Sequence, residues 1–249
     1  MKYDINERAW QEIYKFLKTI SKIHVKNEYK TRLFIEAIYH LALTGSQIRK
    51  LHKEYGCCFS IHQRFMRWVR IGVFQKMIEF FQDQDAEYFM IDATIIRANQ
   101  CSSGYRKNSQ EEQALGRSCG GFSTKIHALV DALGNPVDFI LTPGNNHDVT
   151  EAENLTKNLE NTALIADKGY DSQDFIDSLK ENNCEAIIPS KSNSKNPRVI
   201  DYDIYKERNL IERFFNKIKW FRRIFSRFDK TAISYISHLQ FVSSLILLK

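Results

Sequence analysis

The chain has 249 residues, of which 43% are hydrophobic, 27% charged and 12% aromatic. That composition supplies a sizeable core for one large or two small domains and excludes an intrinsically disordered polymer. A formal charge of +6 permits a polyanionic partner, and five cysteines at irregular spacing, with no C-x-x-C, exclude a zinc framework or disulfide scaffold and point to reduced thiols.

Residues 7–20, 28–43, 46–55, 60–71 and 74–81 each carry helical periodicity, with Ser or Asn at several N-caps and Gly45, Gly56 and Gly72 past the ends. The unit LALTGSQI (41–48) predicts a helix, a tight turn and a capped second helix, the outline of a helix-turn-helix. In that reading the 60–71 helix presents Arg64, Arg67 and Arg70 to DNA, next to Arg49, Lys50 and Lys53. A plain helical bundle with a basic surface accounts for the same pattern.

After residue 84 the pattern changes. EYFMIDATII (87–96) predicts a buried strand, with Asp92 in its middle. An acid inside an apolar strand needs a base or a metal beside it. Residues 99–121 form a long polar loop containing Arg106, Lys107 and Arg117, of a length that suits function or mobility. STKIHALVD (123–131) and PVDFIL (136–141) flank a hairpin turn, and His127 among apolar neighbours reads as a core histidine. A helix capped at Asp148 or Thr150 and running to about 160 leads to the strand ALIA (163–166), which ends at Asp167. A helix (172–182), a strand (185–188) and a basic connector (190–198) follow. Alternating strands and helices imply parallel pairing, with functional groups at the strands' carboxyl ends.

The segment from Tyr205 to Arg227 lacks Pro and Gly, so it predicts one long helix. Leu210, Ile211, Phe214, Ile218, Phe221 and Phe225 make its apolar arc, while Tyr205, Arg208, Glu212, Asn216 and Lys219 form a narrow polar stripe. The final run 233–248 is apolar but carries Ser234, Ser237, His238, Gln240, Ser243 and Ser244, which predicts a packed helix rather than a membrane span. The polar first residues carry no secretory signal, so a cytoplasmic protein, nucleoid-associated when on DNA, is expected.

Three strands in a meander, followed by helix, strand, helix, strand and helix, give the order of a ribonuclease H-like α/β fold, a mixed sheet flanked by helices. In that fold Asp92, Asp167 and Glu212 converge. Three carboxylates together repel unless a cation joins them, and oxygen donors suit Mg²⁺ or Mn²⁺. Two such ions can activate an attacking oxygen and stabilise a leaving oxygen at a phosphodiester, with nearby bases holding phosphates.

From about Tyr88 onward the sequence resembles bacterial insertion-sequence transposases of the Asp-Asp-Glu (DDE) class, of the type named for insertion sequence five. Tyr205, Arg208, Glu212 and Lys219 reproduce that family's Tyr-x2-Arg-x3-Glu-x6-Lys signature, IDATIIRA matches the first acid motif, and ADKGYDS matches the second. GRSCGGFSTKIHALVDALGNPVDFILTPGNNHD is similar to the family's intervening segment, although Ala93 and Cys119 depart from its usual residues. The resemblance implies Mg²⁺-dependent cleavage at the ends of a transposable element and attack of the freed 3′-hydroxyl on target DNA. It makes Asp92, Asp167 and Glu212 the catalytic ligands of two Mg²⁺ ions, which Mn²⁺ replaces. Tyr205, Arg208 and Lys219 become contacts to transposon DNA. The implied partners are double-stranded DNA, as terminal inverted repeats and target, and a second copy of the chain or more. The expected organisation is a helical, helix-turn-helix-like DNA-binding region over 1–84 and a catalytic domain over 85–249. A nuclease that cuts without joining and a non-catalytic DNA-binding protein are the rival readings.

Overall fold

The structure is a computed structural model that describes residues 4–82, 86–103, 112–118, 120–192, 194 and 197–248. In chain order its elements begin with α1 (Glu7–Thr19), α2 (Glu28–Thr44), α3 (Cys58–Ile71) and α4 (Val73–Phe81). Strands β1 (Tyr88–Ala98), β2 (Gly116–Ser118), β3 (Gly121–Asp131) and β4 (Pro136–Pro143) follow, then α5 (Ala152–Thr156), β5 (Ala163–Ile165), α6 (Gln173–Glu181) and β6 (Glu185–Ile187). The chain ends with α7 (Tyr202–Tyr205), α8 (Asn209–Lys219), α9 (Arg222–Phe225), β7 (Ser226–Arg227) and α10 (Ala232–Leu247). Two compact units result: Met1–Phe81 with Arg97–Asn108 and Lys217–Lys249, and Gln82–Ile96 with Ser109–Asn216.

In the first unit, Asn6 and Asn27 cap α1 and α2 by accepting from Ala9 N at 2.8 Å and Lys30 N at 2.9 Å. Gly45 and Gly72 end α2 and α3 in the left-handed conformation, at φ +65° and +75°. Helix α10 is buried on nearly every side and packs against α2, α3 and α4. Its Phe241 and Leu245 share a core with Trp10, Ile35, Trp68 and Phe74. An ionic cluster lies within this unit. Asp229 accepts from Arg223 at 2.9 Å and meets His238 at 3.3 Å, while Arg223 also donates to the carbonyls of Leu41 (3.2 Å) and Ser46 (2.8 Å) at the end of α2. Arg223 thus adds a second donor to the Leu41 carbonyl, which already accepts from Gly45 N at the helix C-terminus (3.0 Å).

Two expectations fail here. Residues 46–55 do not form a second helix but two 3-10 turns, Ile48–Lys50 and Lys53–Tyr55. The extended Leu51 separates the turns (ψ 142°), His52 Nδ1 accepts from Glu54 N at 3.4 Å, and Tyr55 is buried with its ring 5.6 Å from that of His40. Local side-chain bonding and burial of one aromatic therefore outcompete the helix. The segment 205–227 is also not one helix. It passes through α7, a 3-10 turn at Lys206–Arg208 and α8, then breaks at Trp220–Phe221, where Phe221 is extended (ψ 106°). Breaking there buries Phe221 against Tyr39 (6.2 Å between ring centres) and delivers Arg223 to the end of α2. Phe225 consequently leaves the apolar arc and is 58% exposed.

The second unit is built on β1. Strand β5 runs parallel to β1, pairing Tyr88 with Ala163 and Met90 with Ile165, and β6 runs parallel to β5. On the other side β3 borders β1, and β4 and β2 pair with β3 antiparallel. This β4-β3-β1-β5-β6 sequence, two antiparallel strands beside three parallel ones, is the strand order of the ribonuclease H-like fold. The β3–β4 hairpin closes through Gly134 at φ +77°, with the Asp131 carboxylate accepting from Leu133 N (2.9 Å) and Asn135 N (2.8 Å). Ile91, Leu129 and Leu164 cover α5 and α6 on one face, and on the other Phe139 stacks on Phe214 of α8 (5.8 Å, 19°). The helix after β4 is shorter than expected: a 3-10 turn at Asp148–Glu151 continues as α5 and stops at Thr156.

Candidate active site

Two of the three acids are positioned by parallel pairing. Met90 of β1 and Ile165 of β5 are in register, so Asp92, in the middle of β1, and Asp167, just past the end of β5, are each two residues further on and lie at the same level of the sheet. Asp92 Oδ1 accepts from Ala93 N at 2.7 Å, and its Oδ2 accepts from Arg208 Nη1 at 3.0 Å. Arg208 lies one helical turn before Glu212, and its second amino group donates to Glu212 Oε1. One guanidinium thus joins the first and third acids. Asp167 is held by its own turn: its Oδ1 accepts from Gly169 N at 2.7 Å and caps the 3-10 turn Lys168–Tyr170. A Cβ on Gly169 would stand 2.8 Å from that oxygen, so glycine is what leaves the carboxylate room.

The electrostatics follow from burial. Burial pushes Asp92 up to about 6, with the charges of Asp167 and Asp148 adding to it and the Ala93 N–H and Arg208 opposing it. Burial works against the Arg208 cation, but Asp92 and Glu212 hold its pKa above the usual range. His127 accepts or donates at Thr142 Oγ1 (2.8 Å), and burial pulls it down to about 4, so it is the neutral core histidine its apolar neighbours suggested.

Three residues near these acids were not singled out from the sequence as functional. Lys125, on β3, is buried and donates to Asp148 Oδ1 (2.6 Å) and the Asn146 carbonyl (2.5 Å), tying the segment after β4 to the sheet. A lysine inside the otherwise uncharged run Ser123–Val130 was the available signal. Asp148, read only as a cap, is in electrostatic reach of Asp92. Tyr170 is wholly buried.

The remaining expected residues are placed as follows. Tyr205 is half-buried on α7, its ring 6.4 Å from that of Tyr202. Lys219 is the last residue of α8 and belongs to the other unit. Arg64 is engaged inside the helical unit, over the rings of Phe34 (4.4 Å) and Trp68 (5.1 Å) and donating to His24 O (3.3 Å) and Thr31 Oγ1 (3.2 Å). Arg67 and Arg70 are exposed, Arg67 donating to Lys22 O at 3.2 Å. Arg117 is exposed, whereas Arg106, Lys107 and Cys119 lie outside the described residues.

A set of carboxylates suits a hard divalent cation in kind. It is not assembled for one: among the described residues no three His, Cys, Asp or Glu side chains converge closely enough to hold an ion. Arg208 stands between two of the acids.

A family model described as "Transposase DDE domain" matches residues 83–233, and a second, "Putative transposase of IS4/5 family", matches residues 5–78. A Brucella ovis protein named "Putative transposase for insertion sequence element IS6501" is 37% identical over 130 residues, 51% of this chain and 99% of that protein. "Uncharacterized protein y4sN" of Sinorhizobium fredii is 30% identical over 104 residues, 41% of this chain and 83% of that one. Among solved structures, a piggyBac transposase synaptic complex with hairpin DNA overlaps at TM-score 0.41 and 12% identity, covering 76% of this chain and about half (48%) of that chain. The catalytic domain of Mos1 mariner transposase overlaps at TM-score 0.26 and 9% identity, over 99% and 94% of the two chains. The fold assignment rests on strand order and register, not on these overlaps.

Proposed function

The chain belongs to the transposase DDE domain family, and from that premise we propose that it cuts the ends of its own element and joins them to target DNA. The observation that supports this reading best is the Asp92–Arg208–Glu212 bridge, with Asp167 at the matching level just past the adjacent strand.

Asp92, Asp167 and Glu212 would hold two Mg²⁺ ions, with Mn²⁺ as a substitute. When bound, such a pair supplies activation of the attacking oxygen and stabilisation of the leaving oxygen. The chain's own contribution is placement. Strand β1 carries one acid at mid-length, the turn after β5 carries the second at the same level, and α8 brings the third. Arg208 presents a planar fork that suits a phosphate as well as a carboxylate, so a DNA phosphate takes it from the acids as substrate arrives. Tyr205 and Lys219 hold the transposon strand, and Tyr205 acts as a contact rather than a nucleophile. Recognition of the terminal repeats falls to the N-terminal helices through Arg67 and Arg70, with Arg64 bracing α3 against α2. Joining two ends to one target calls for at least two copies of the chain on DNA.

The test uses a labelled duplex carrying the element's terminal repeat, incubated with target DNA in Mg²⁺ or in EDTA. The proposal expects cleavage at the repeat and a joined product, both abolished by EDTA. Cleavage without joining reduces the protein to a nuclease. Binding with neither step, in Mg²⁺ or Mn²⁺, contradicts the enzymatic reading.

A further inference from the structure

Trp220 is 83% exposed, the most exposed aromatic side chain among the described residues, whereas the other two tryptophans, Trp10 and Trp68, lie in the helical core. It does not stand at a frayed end. Its N–H donates to Lys217 O (3.3 Å) and that of Phe221 to Ile218 O (3.1 Å), closing the last turn of α8. Ile218 and Phe221 on either side of it are buried, and Arg223 is tied to the Leu41 and Ser46 carbonyls. The backbone is thus held from both sides while the indole faces solvent. Its surroundings are cationic. Lys217, Arg222 and Lys230 are exposed and Lys219 half-buried, and none of the four makes an ion pair among the described residues. The one acid in the sequence from 217 to 249 is Asp229, and it is turned inward onto Arg223 (2.9 Å) and His238 (3.3 Å). The outward charges of this segment are therefore all positive. Cations around one flat aromatic fit a nucleic acid strand, because the cations follow phosphates and the indole offers a stacking face to a base. Bases inside a duplex already stack on one another, so a base that reaches the indole has left its pair.

We propose that Trp220 is a base-stacking contact that takes up an unpaired nucleotide of the DNA, while Lys217 and Arg222 hold the flanking phosphates. The inference rests on the reading of the chain as an enzyme that cuts and joins DNA, and it deepens that reading: the DNA taken up at this surface is an opened end, not intact duplex.

The test compares the full chain with Trp220→Ala on two labelled probes, a blunt duplex carrying the terminal repeat and the same duplex with three unpaired thymines at one 3′ end. Affinity is read by fluorescence anisotropy, and stacking by quenching of tryptophan emission, which reports on Trp220 because Trp10 and Trp68 are enclosed in the core. The expected result is that Trp220→Ala weakens binding of the overhang probe by about 5- to 150-fold, the range for losing one base–aromatic stack, and abolishes the quenching. Affinity for the blunt duplex stays unchanged. Equal losses on the two probes, or no loss on either, would overturn the inference. No loss together with a smaller species in sedimentation would overturn it too, and would make the patch an interface between copies of the chain. Failure of wild type to bind either probe would instead remove the underlying DNA reading, and the role of Trp220 with it.

Discussion

Asp92 shows how one residue couples stability to function. Its folded pKa of about 6 lies above the model-compound value of 3.8, chiefly because burial disfavours the charge. The folded, metal-free protein therefore holds this proton more tightly than the unfolded chain does. As pH rises from about 4 to about 6 the unfolded chain releases its proton first, so stability falls across that window. Asp92→Asn removes the ionised form and is expected to stabilise the metal-free protein at about pH 7.5 by on the order of 2–3 kcal/mol. The gain should disappear near pH 4, and denaturant unfolding at the two pH values checks it. An equal gain at both, or a loss at the higher pH, would show that the Arg208 contact dominates instead of burial.

At the scale of elements, β1, β3, β4, β5, α6 and β6 were legible because their signals are local. Apolar runs of strand length are bounded by turn residues, and the Asp131–Asn135 turn closes by its own side-chain bonds. Asp92 was legible for the same reason, as an acid out of place in such a run. The 46–55 turns and the break in 205–227 were not legible, because their causes are distant in sequence: Tyr55 docks on His40, Phe221 on Tyr39, and Arg223 on Leu41. Lys125 and Asp148 escaped for a related reason, since a partner 23 residues away gives no spacing pattern. The break yields a paired prediction. Phe221→Ala is expected to cost about 3 kcal/mol by emptying a packed site. Trp220→Ala, at a side chain 83% exposed, should stay within about 0.5 kcal/mol. Unfolding titrations of the two variants check the contrast, and a reversal would mean that Trp220 anchors the break.

At the scale of the whole molecule, the chain is not divided at a single point near residue 84. The last segment, 217–249, clusters with the N-terminal helices, and its apolar α10 completes their core. No helix among the described residues is long and apolar enough to cross a membrane, and α10 is instead enclosed by α2, α3 and α4. Asp229 adds an ionic tie within this unit. Burial alone would raise its pKa, but the charges of His238 and Arg223 reverse that and hold it below the ordinary carboxylate range. A depressed carboxylate stabilises above its unfolded pKa and loses that contribution as pH falls, so this unit is expected to be the more acid-labile of the two. Residues 1–84 expressed alone are accordingly expected not to fold, because Phe241, Leu245 and Arg223 are missing from the core and its ionic tie. Circular dichroism of that fragment against the full chain checks this. A cooperative melt of the fragment would restore the simpler division.

The central claim is that Asp92, Asp167 and Glu212, carried on β1, after β5 and on α8, act as one phosphodiester site. The most direct measurement compares cleavage of a labelled terminal-repeat duplex in Mg²⁺ by wild type, Asp92→Asn, Asp167→Asn and Glu212→Gln, with DNA affinity measured in parallel. The account predicts that each substitution lowers the cleavage rate by at least about a thousandfold, as for groups acting as a unit, while affinity for the repeat is retained. Full cleavage by any one of the three variants would remove that acid from the site and contradict the account.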